Sequence, residues 1–243
     1  MAYKIKRYVG FVSLVVFLLV LSTEARAELY PFEAVSWNSG VSTANAMAAQ
    51  LSLEVIDYGT PDTGDPYQVE FKFNNNILPY QVVPGETGII TGLAFEDGTL
   101  LDIAVIKPYL SGPGSQVDFV ADPSPPAGTW GLGFDVSHYF LADAEPPSPA
   151  NGVNPGEAVG IVFDLLDGKD FDAVIAALNQ GFTGPIVSGE SLRIGIHVQN
   201  LGDRGDYSDA FILTPEPGSL LLGSIGIGMV IARCRKRKTL IKS

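Results

Sequence analysis

The strongest constraint on the fold is an alternation that recurs along the middle of the chain. In LRIGIHVQ, residues Leu192, Ile194, Ile196 and Val198 fall on one side of an extended strand, and Arg193, Gly195, His197 and Gln199 on the other. That pattern belongs to a sheet with one face buried and one face wet. Seven further runs have alternating or apolar character: QLSLEVIDY from Gln50, YQVEFKF from Tyr67, IITGLAF from Ile89, LLDIAVI from Leu100, WGLGFDV from Trp130, GIVFDLL from Gly160 and DAFIL from Asp209. Gly, Pro, Asn and Asp separate them. Runs punctuated in this way predict a mainly β fold, an antiparallel β-sandwich of jelly-roll-like type.

Two short helices interrupt the strand pattern. TANAMAAQ, Thr43 to Gln50, is alanine-rich. In DFDAVIAALNQG the apolar residues Phe171, Val174, Ile175 and Leu178 recur at helical spacing, Asp170 and Asp172 fall in the first turn, and Gly181 is placed to end the helix. Seven of the 17 prolines lie between Pro123 and Pro155, in ADPSPPAG and DAEPPSPANGVNPG. Proline cannot donate to a ladder, so both stretches read as loops at the sandwich edge.

The two ends of the chain have a different chemistry. Lys4, Lys6 and Arg7 precede the apolar run Val9 to Leu21, and Ala25-Arg26-Ala27 follows as an A-x-A cleavage site. This is the pattern of a secretory signal peptide over residues 1–27, with the mature chain starting at Glu28. At the other end, Pro215-Glu216-Pro217 precedes an uncharged apolar segment, residues 218–232, expected to form a C-terminal transmembrane helix. Arg233, Arg235, Lys236, Arg237, Lys238 and Lys242 follow with no acidic residue among them. The positive-inside rule puts that basic cluster in the cytoplasm and residues before Pro215 outside. The apolar run of about 14 residues is shorter than the roughly 17 to 25 that usually span a bilayer.

Motif, apolar run and basic cluster in that order resemble the PEP-CTERM sorting signal. That signal is found on exported proteins of Gram-negative bacteria that make extracellular polysaccharide, and it is read by a membrane protease, exosortase. The segment from NGVNPGEAVGIVFDLLDGKDFDAVIAALNQG through LRIGIHVQNLGD to DAFILTPEP is also similar to the body that often precedes this tail. The resemblance implies signal peptidase, the export machinery and an exosortase-type protease as partners. It carries over no functional residue within the body.

Between the two ends lie residues 28–214, a length that suits one domain with a sizeable core. This ectodomain holds 25 of the 27 acidic residues but only five basic ones, Lys72, Lys107, Lys169, Arg193 and Arg204, a balance of about −20. It should repel nucleic acid and anionic lipid, which excludes a nucleic-acid role. The one cysteine, Cys234, lies in the tail, so the ectodomain has neither a disulfide nor a thiolate nucleophile.

Candidate sites are few. Asp164, Asp167, Asp170 and Asp172, in DLLDGKDFD, offer oxygens around a glycine turn, which makes calcium the one cofactor to consider. The spacing departs from the EF-hand loop, and a strand end, a Gly turn and an Asp-capped helix explain the same residues. Asp203, Asp206 and Asp209 form a second acidic group that reads as a charged turn. His138 and His197 are the only histidines, and no G-x-S-x-G, H-E-x-x-H or phosphate-loop motif occurs. Nothing therefore marks an enzyme, although paired carboxylates keep an extracellular hydrolase as a third reading. Trp37, Trp130, Tyr58, Tyr67, Tyr80, Tyr109, Tyr139 and Tyr207 supply rings that could stack on sugars; for Trp130 the competing role is core. The expectation is an exported cell-surface or matrix protein with a structural or interaction role, held at the inner membrane by its tail before release. The alternative is a carbohydrate-binding module for extracellular polysaccharide.

Overall fold

Alternation becomes structure in most of the predicted runs. A computed structural model of the protein describes residues 26–62, 64–76, 88–97, 100–109, 116–121, 129–134, 139–182 and 191–215. The first three strands are β1 (Ala27–Ala34), β2 (Leu51–Gly59) and β3 (Gln68–Asn75). Next come β4 (Ile89–Asp97), β5 (Leu101–Tyr109), β6 (Phe119–Ala121) and β7 (Tyr139–Ala144). The last are β8 (Glu157–Leu165), β9 (Leu192–Leu201) and β10 (Tyr207–Leu213). Helix α1 (Val41–Ala48) and helix α2 (Phe171–Gly181) complete the described elements.

The fold is mainly β, built on one curled antiparallel sheet of ten strands in the order β5-β8-β3-β2-β1-β10-β9-β4-β7-β6. β1 is the hinge of the curl. Its first half, Ala27 to Pro31, pairs with β2, and its second half, Phe32 to Ala34, pairs with β10. Pro31 stands at the change of partner, where a missing N–H costs the ladder least. Its carbonyl accepts from the Thr214 N–H at 3.0 Å, which ties the end of the domain to its beginning.

The curl turns two arms towards each other, the first made of β5-β8-β3-β2 with the first half of β1 and the second of β10-β9-β4-β7-β6 with its second half. Phe71 and Phe73 on β3 and Phe163 on β8 meet Phe95 on β4 and Phe140 on β7, edge to face, with centroids 5.0 to 5.7 Å apart. Edge-to-face contacts set the positive rim of one ring against the negative face of the next. Phe71, Phe73, Phe95 and Phe163 are at most 1% exposed, and each contributes about 2 kcal/mol by burial alone. Around them close Leu53, Val55, Val69, Ile161, Ile194, Ile196, Val198 and Phe211.

The helices close the ends of the curl. Asp170 caps α2 by accepting from the Ala173 N–H at 2.9 Å, and Phe171, Val174, Ala177 and Leu178 face the core. Gly181 does not stop this helix through a left-handed turn. It sits against β9, where a Cβ would stand 2.2 Å from the Leu192 carbonyl oxygen, so close approach is what requires glycine here. The alanine-rich helix lies two residues earlier than predicted and buries Ala44 and Met47.

One predicted strand is absent. WGLGFDV does not extend from Trp130; Thr129–Gly131 is a turn of 3-10 helix, with Trp130 in the left-handed region at φ 53°. Gly131 and Gly133 also have positive φ, so Trp130, Leu132 and Phe134 keep a period of two along a looped strap. Residues 135–138 lie outside the described ones. The prediction overlooked β1, the three-residue β6, and β7.

Candidate functional site

The open face of the first arm carries the richest polar arrangement among the described residues. Leu53, Val55, Phe71 and Phe73 point to the core, which leaves Ser52, Glu54, Glu70, Lys72 and Asn74 on the opposite side. Lys72 and Lys107 both pair with Gly160, from the strands on either side of β8. Glu70 is wholly buried despite its outward parity. The glycine makes this possible, because a Cβ at Gly160 would stand 2.1 Å from Glu70 Oε1.

The buried carboxylate is satisfied by two phenols. Tyr58 donates to Glu70 Oε2, Tyr109 donates to Glu70 Oε1, and Lys107 Nζ donates to the Tyr58 oxygen at 2.6 Å. Burial, and then the bond to Glu70, pushes the Tyr109 phenol well above its ordinary range. The hydrogen bond to Tyr58 raises Lys107. Tyr109 therefore remains a donor and Lys107 a cation at neutral pH. Lys107 Nζ also lies 4.8 Å from the Tyr58 ring centroid, and Lys72 Nζ lies 4.9 Å from that of Tyr109, within cation–π range.

Beside this network runs an open groove of about 410 Å³, lined by Ala27, Glu28, Leu29, Ser52, Glu54, Asn74 and Asn76. Asn76 Nδ2 donates to the Gln50 carbonyl and to Ser52 Oγ, both at 2.9 Å, and Glu54 pairs with Lys72 at 3.5 Å. Tyr30 donates to Glu28 Oε2 at 2.6 Å. Hydroxyl, amide and carboxylate groups thus surround one half-exposed leucine, Leu29. This chemistry suits a polyhydroxylated ligand, and the volume falls within the range of small-ligand sites.

The second arm's face is covered. The Trp130 ring stacks flat on His197, with centroids 5.1 Å apart and planes 6° apart. Gly92 lies beneath it, where a Cβ would be 2.4 Å from the indole, and Leu132 sits on Gly195 in the same way. Arg193 fastens the far end of the strap. Its guanidinium bonds the buried Glu96 at 2.6 and 2.5 Å, donates to the Gly133 carbonyl at 3.1 Å, and lies over Phe134. Trp130 is therefore packing rather than an exposed platform. His197, expected as a surface residue on a polar strand face, is mostly covered; burial lowers its pKa to about 4, and the Asp209 charge partly offsets this.

The acidic groups of the sequence are not drawn together. Asp164 accepts from Gln68 Nε2 at 2.8 Å, Asp170 caps α2, and Asp172 pairs with Arg26 at 2.7 Å, while Asp167 is exposed in the turn. Among the described residues no group of three His, Cys, Asp or Glu could hold a metal ion. Asp209 separates from Asp203 and Asp206. It is buried and accepts from the backbone N–H of Asn38 and Ser39 and from the hydroxyls of Ser36 and Ser39, fixing the turn before α1. Trp37 and Tyr207, flanking this anchor, are each about half exposed. Tyr67 donates to Asp57, and burial pushes its phenol up to about 12.

Of the sorting residues, Pro215 is described and exposed. Glu216, Pro217, the apolar segment and Arg233 to Lys238 lie outside the described residues, as do Ala25, Tyr80 and His138. Ala27 opens β1. Among the described residues no helix is long and apolar enough to cross a membrane. The alternation alone did not reveal the buried acids Glu70, Glu96 and Asp209. Compared with known proteins, the chain matches no family model, no curated protein and no solved structure.

Proposed function

We propose that the protein is exported, held at the inner membrane by its C-terminal tail, and then released to the cell surface or extracellular matrix, where it has a structural or interaction role. The observation that carries this reading is the tail itself: Pro215-Glu216-Pro217, an uncharged apolar segment and a basic cluster from Arg233 to Lys238. Its position supports the reading. β10 ends at Leu213, Thr214 bonds back to Pro31, and Pro215 is already exposed, so the motif begins where the sheet stops. An exosortase-type protease is the partner that would cut there. The finer architecture is a jelly-roll-like sandwich, supported by a chain that changes arm from β3 to β4, β4 to β5, β5 to β6, β7 to β8 and β8 to β9.

The test is cell fractionation. The natural protein accumulates outside the cell, and changing Pro215, Glu216 and Pro217 together to alanine leaves it in the membrane fraction. Equal release of both forms would overturn the reading.

A second reading, a carbohydrate-binding module, is favoured by the groove of β1, β2 and β3, whose Glu54 pairs with Lys72, which in turn lies over the Tyr109 ring. Binding on a glycan array that is lost in Asn74→Ala with Asn76→Ala would support it, and binding unchanged by those substitutions would remove this face from consideration.

A further inference from the structure

We infer that Trp37 and Tyr207 form a binding platform for a neutral polysaccharide, at the corner where the turn before α1 meets the start of β10. This deepens the carbohydrate-binding reading above and rests on it, and it places a sugar contact away from the groove. The chain has two tryptophans. Trp130 is packed on His197, whereas Trp37 is 51% exposed. Tyr207 is exposed to the same degree, and Val41, at the start of α1, is 63% exposed. Among the described residues no hydrogen bond or ring contact engages the Trp37 indole or the Tyr207 phenol.

Firm anchoring separates this corner from scattered surface hydrophobics. Asp209, 1% exposed, accepts from the N–H of Asn38 at 2.6 Å and of Ser39 at 3.2 Å, and from the hydroxyls of Ser36 and Ser39. Asn38 Nδ2 donates to the Ser208 carbonyl at 2.9 Å. The residue after Trp37 is therefore bonded to the residue after Tyr207, which brings both rings to one corner. Tyr207 is steadied in turn by Gly202, where a Cβ would stand 2.9 Å from the ring. A backbone held in this way leaves little but two χ angles per ring to order on binding.

Area and charge select the occupant. Trp37, Tyr207 and Val41 together expose roughly 300 Å², judged from the size of such side chains, against the roughly 800 Å² per partner of a standard protein interface. The corner is thus the size of a small-ligand contact, too small to hold a second copy or a protein partner. Asp203 and Asp206 are exposed in the adjoining turn, with Arg204 the one cation between them, and the ectodomain balance is about −20. Acidic polymers and anionic lipid are therefore repelled. A neutral sugar ring matches what remains: its C–H face lies on an aromatic ring, and its hydroxyls donate to the carboxylates at the rim.

The test is affinity electrophoresis of the natural protein through native gels containing hydroxyethylcellulose, galactomannan, dextran or the anionic polymer alginate, beside a glycan array. At least one neutral polymer should retard the protein. Trp37→Ala and Tyr207→Ala should each weaken that binding by roughly tenfold or more. Both residues are half exposed, so the melting temperature of either variant should match that of the natural protein, and Trp37→Tyr, which restores a ring, should recover retardation. Retardation that survives both alanine variants and is lost in Asn74→Ala with Asn76→Ala would overturn the platform while leaving the carbohydrate reading to the groove. Binding confined to alginate would likewise overturn the inference. No retardation in any gel and no bound glycan on the array would overturn both.

Discussion

Acidification should loosen the strap on the second arm, and His197 supplies the size of the effect. The imidazole lies under the Trp130 ring, bonded through Nδ1 to Thr91 Oγ1 at 3.3 Å, and burial holds its pKa at about 4. In the unfolded chain it returns to its ordinary value near 6.5. Between those values the unfolded state binds a proton that the native state refuses, so stability is fully present above pH ~6.5 and falls as the pH drops towards 4. The gap between the two values corresponds to ~3 kcal/mol at 1.36 kcal/mol per tenfold, a large share of a domain stability of roughly 5 to 15 kcal/mol. Other protonations also change stability with pH, so the readout is a difference. Urea denaturation of the natural protein and of His197→Phe, which keeps a ring beneath Trp130, is followed from pH 7.5 to 4.5. The stability gap between the two should shift towards the variant by about 2 kcal/mol on acidification. Parallel pH profiles would refute a buried neutral histidine and the stacked geometry that requires it.

Three more outcomes follow from the same contacts. Gly160→Ala drives a methyl into Glu70 Oε1, which stands 2.1 Å from the Cβ position, and should cost ~2 to 3 kcal/mol in a urea melt by pulling a buried carboxylate off its phenols. Arg193→Ala takes both guanidinium contacts off Oε2 of Glu96, which is only 2% exposed, and should destabilise by ~3 kcal/mol, whereas Arg204→Ala in the charged turn should be close to neutral. Millimolar calcium should leave the melting temperature unchanged, because Asp164, Asp170 and Asp172 are already engaged within the protein; a rise abolished by Asp167→Asn with Asp170→Asn would restore that cluster as a site.

Most of the sheet was legible because alternation reports directly which side of a strand is buried. LSLEV, VEFKF and LRIGIHV each put their first member and every second one after it in the core, as β2, β3 and β9 do. The failures have physical causes. β1 contains Pro31, which argues against a strand unless the strand changes partner at that residue. W-G-L-G-F has the period of a strand, yet glycines at the alternate positions let a looped strap present the same three side chains to the second arm's face. The polar network of the first arm was only half legible. Alternation places Glu70 outward, but its burial depends on Gly160, 90 residues later in sequence, and on Tyr109, 39 residues away. Asp209 likewise finds its donors about 170 residues upstream, at Ser36, Asn38 and Ser39. No local pattern carries information of that range. The tail and leader were read from charge and apolar order alone, and most of their residues lie outside the described ones.

The account depends most on the tail being a cleaved sorting signal attached to a folded exterior domain. The measurement that tests it most directly is the C-terminal peptide of the protein recovered from outside the cell, determined by mass spectrometry. Because Thr214 is the last of the described residues tied to the sheet and Pro215 is exposed, the account predicts a terminus near Pro215, with the apolar segment and Arg233 to Lys238 missing from every released molecule. Released protein that still ends at Ser243 would contradict it.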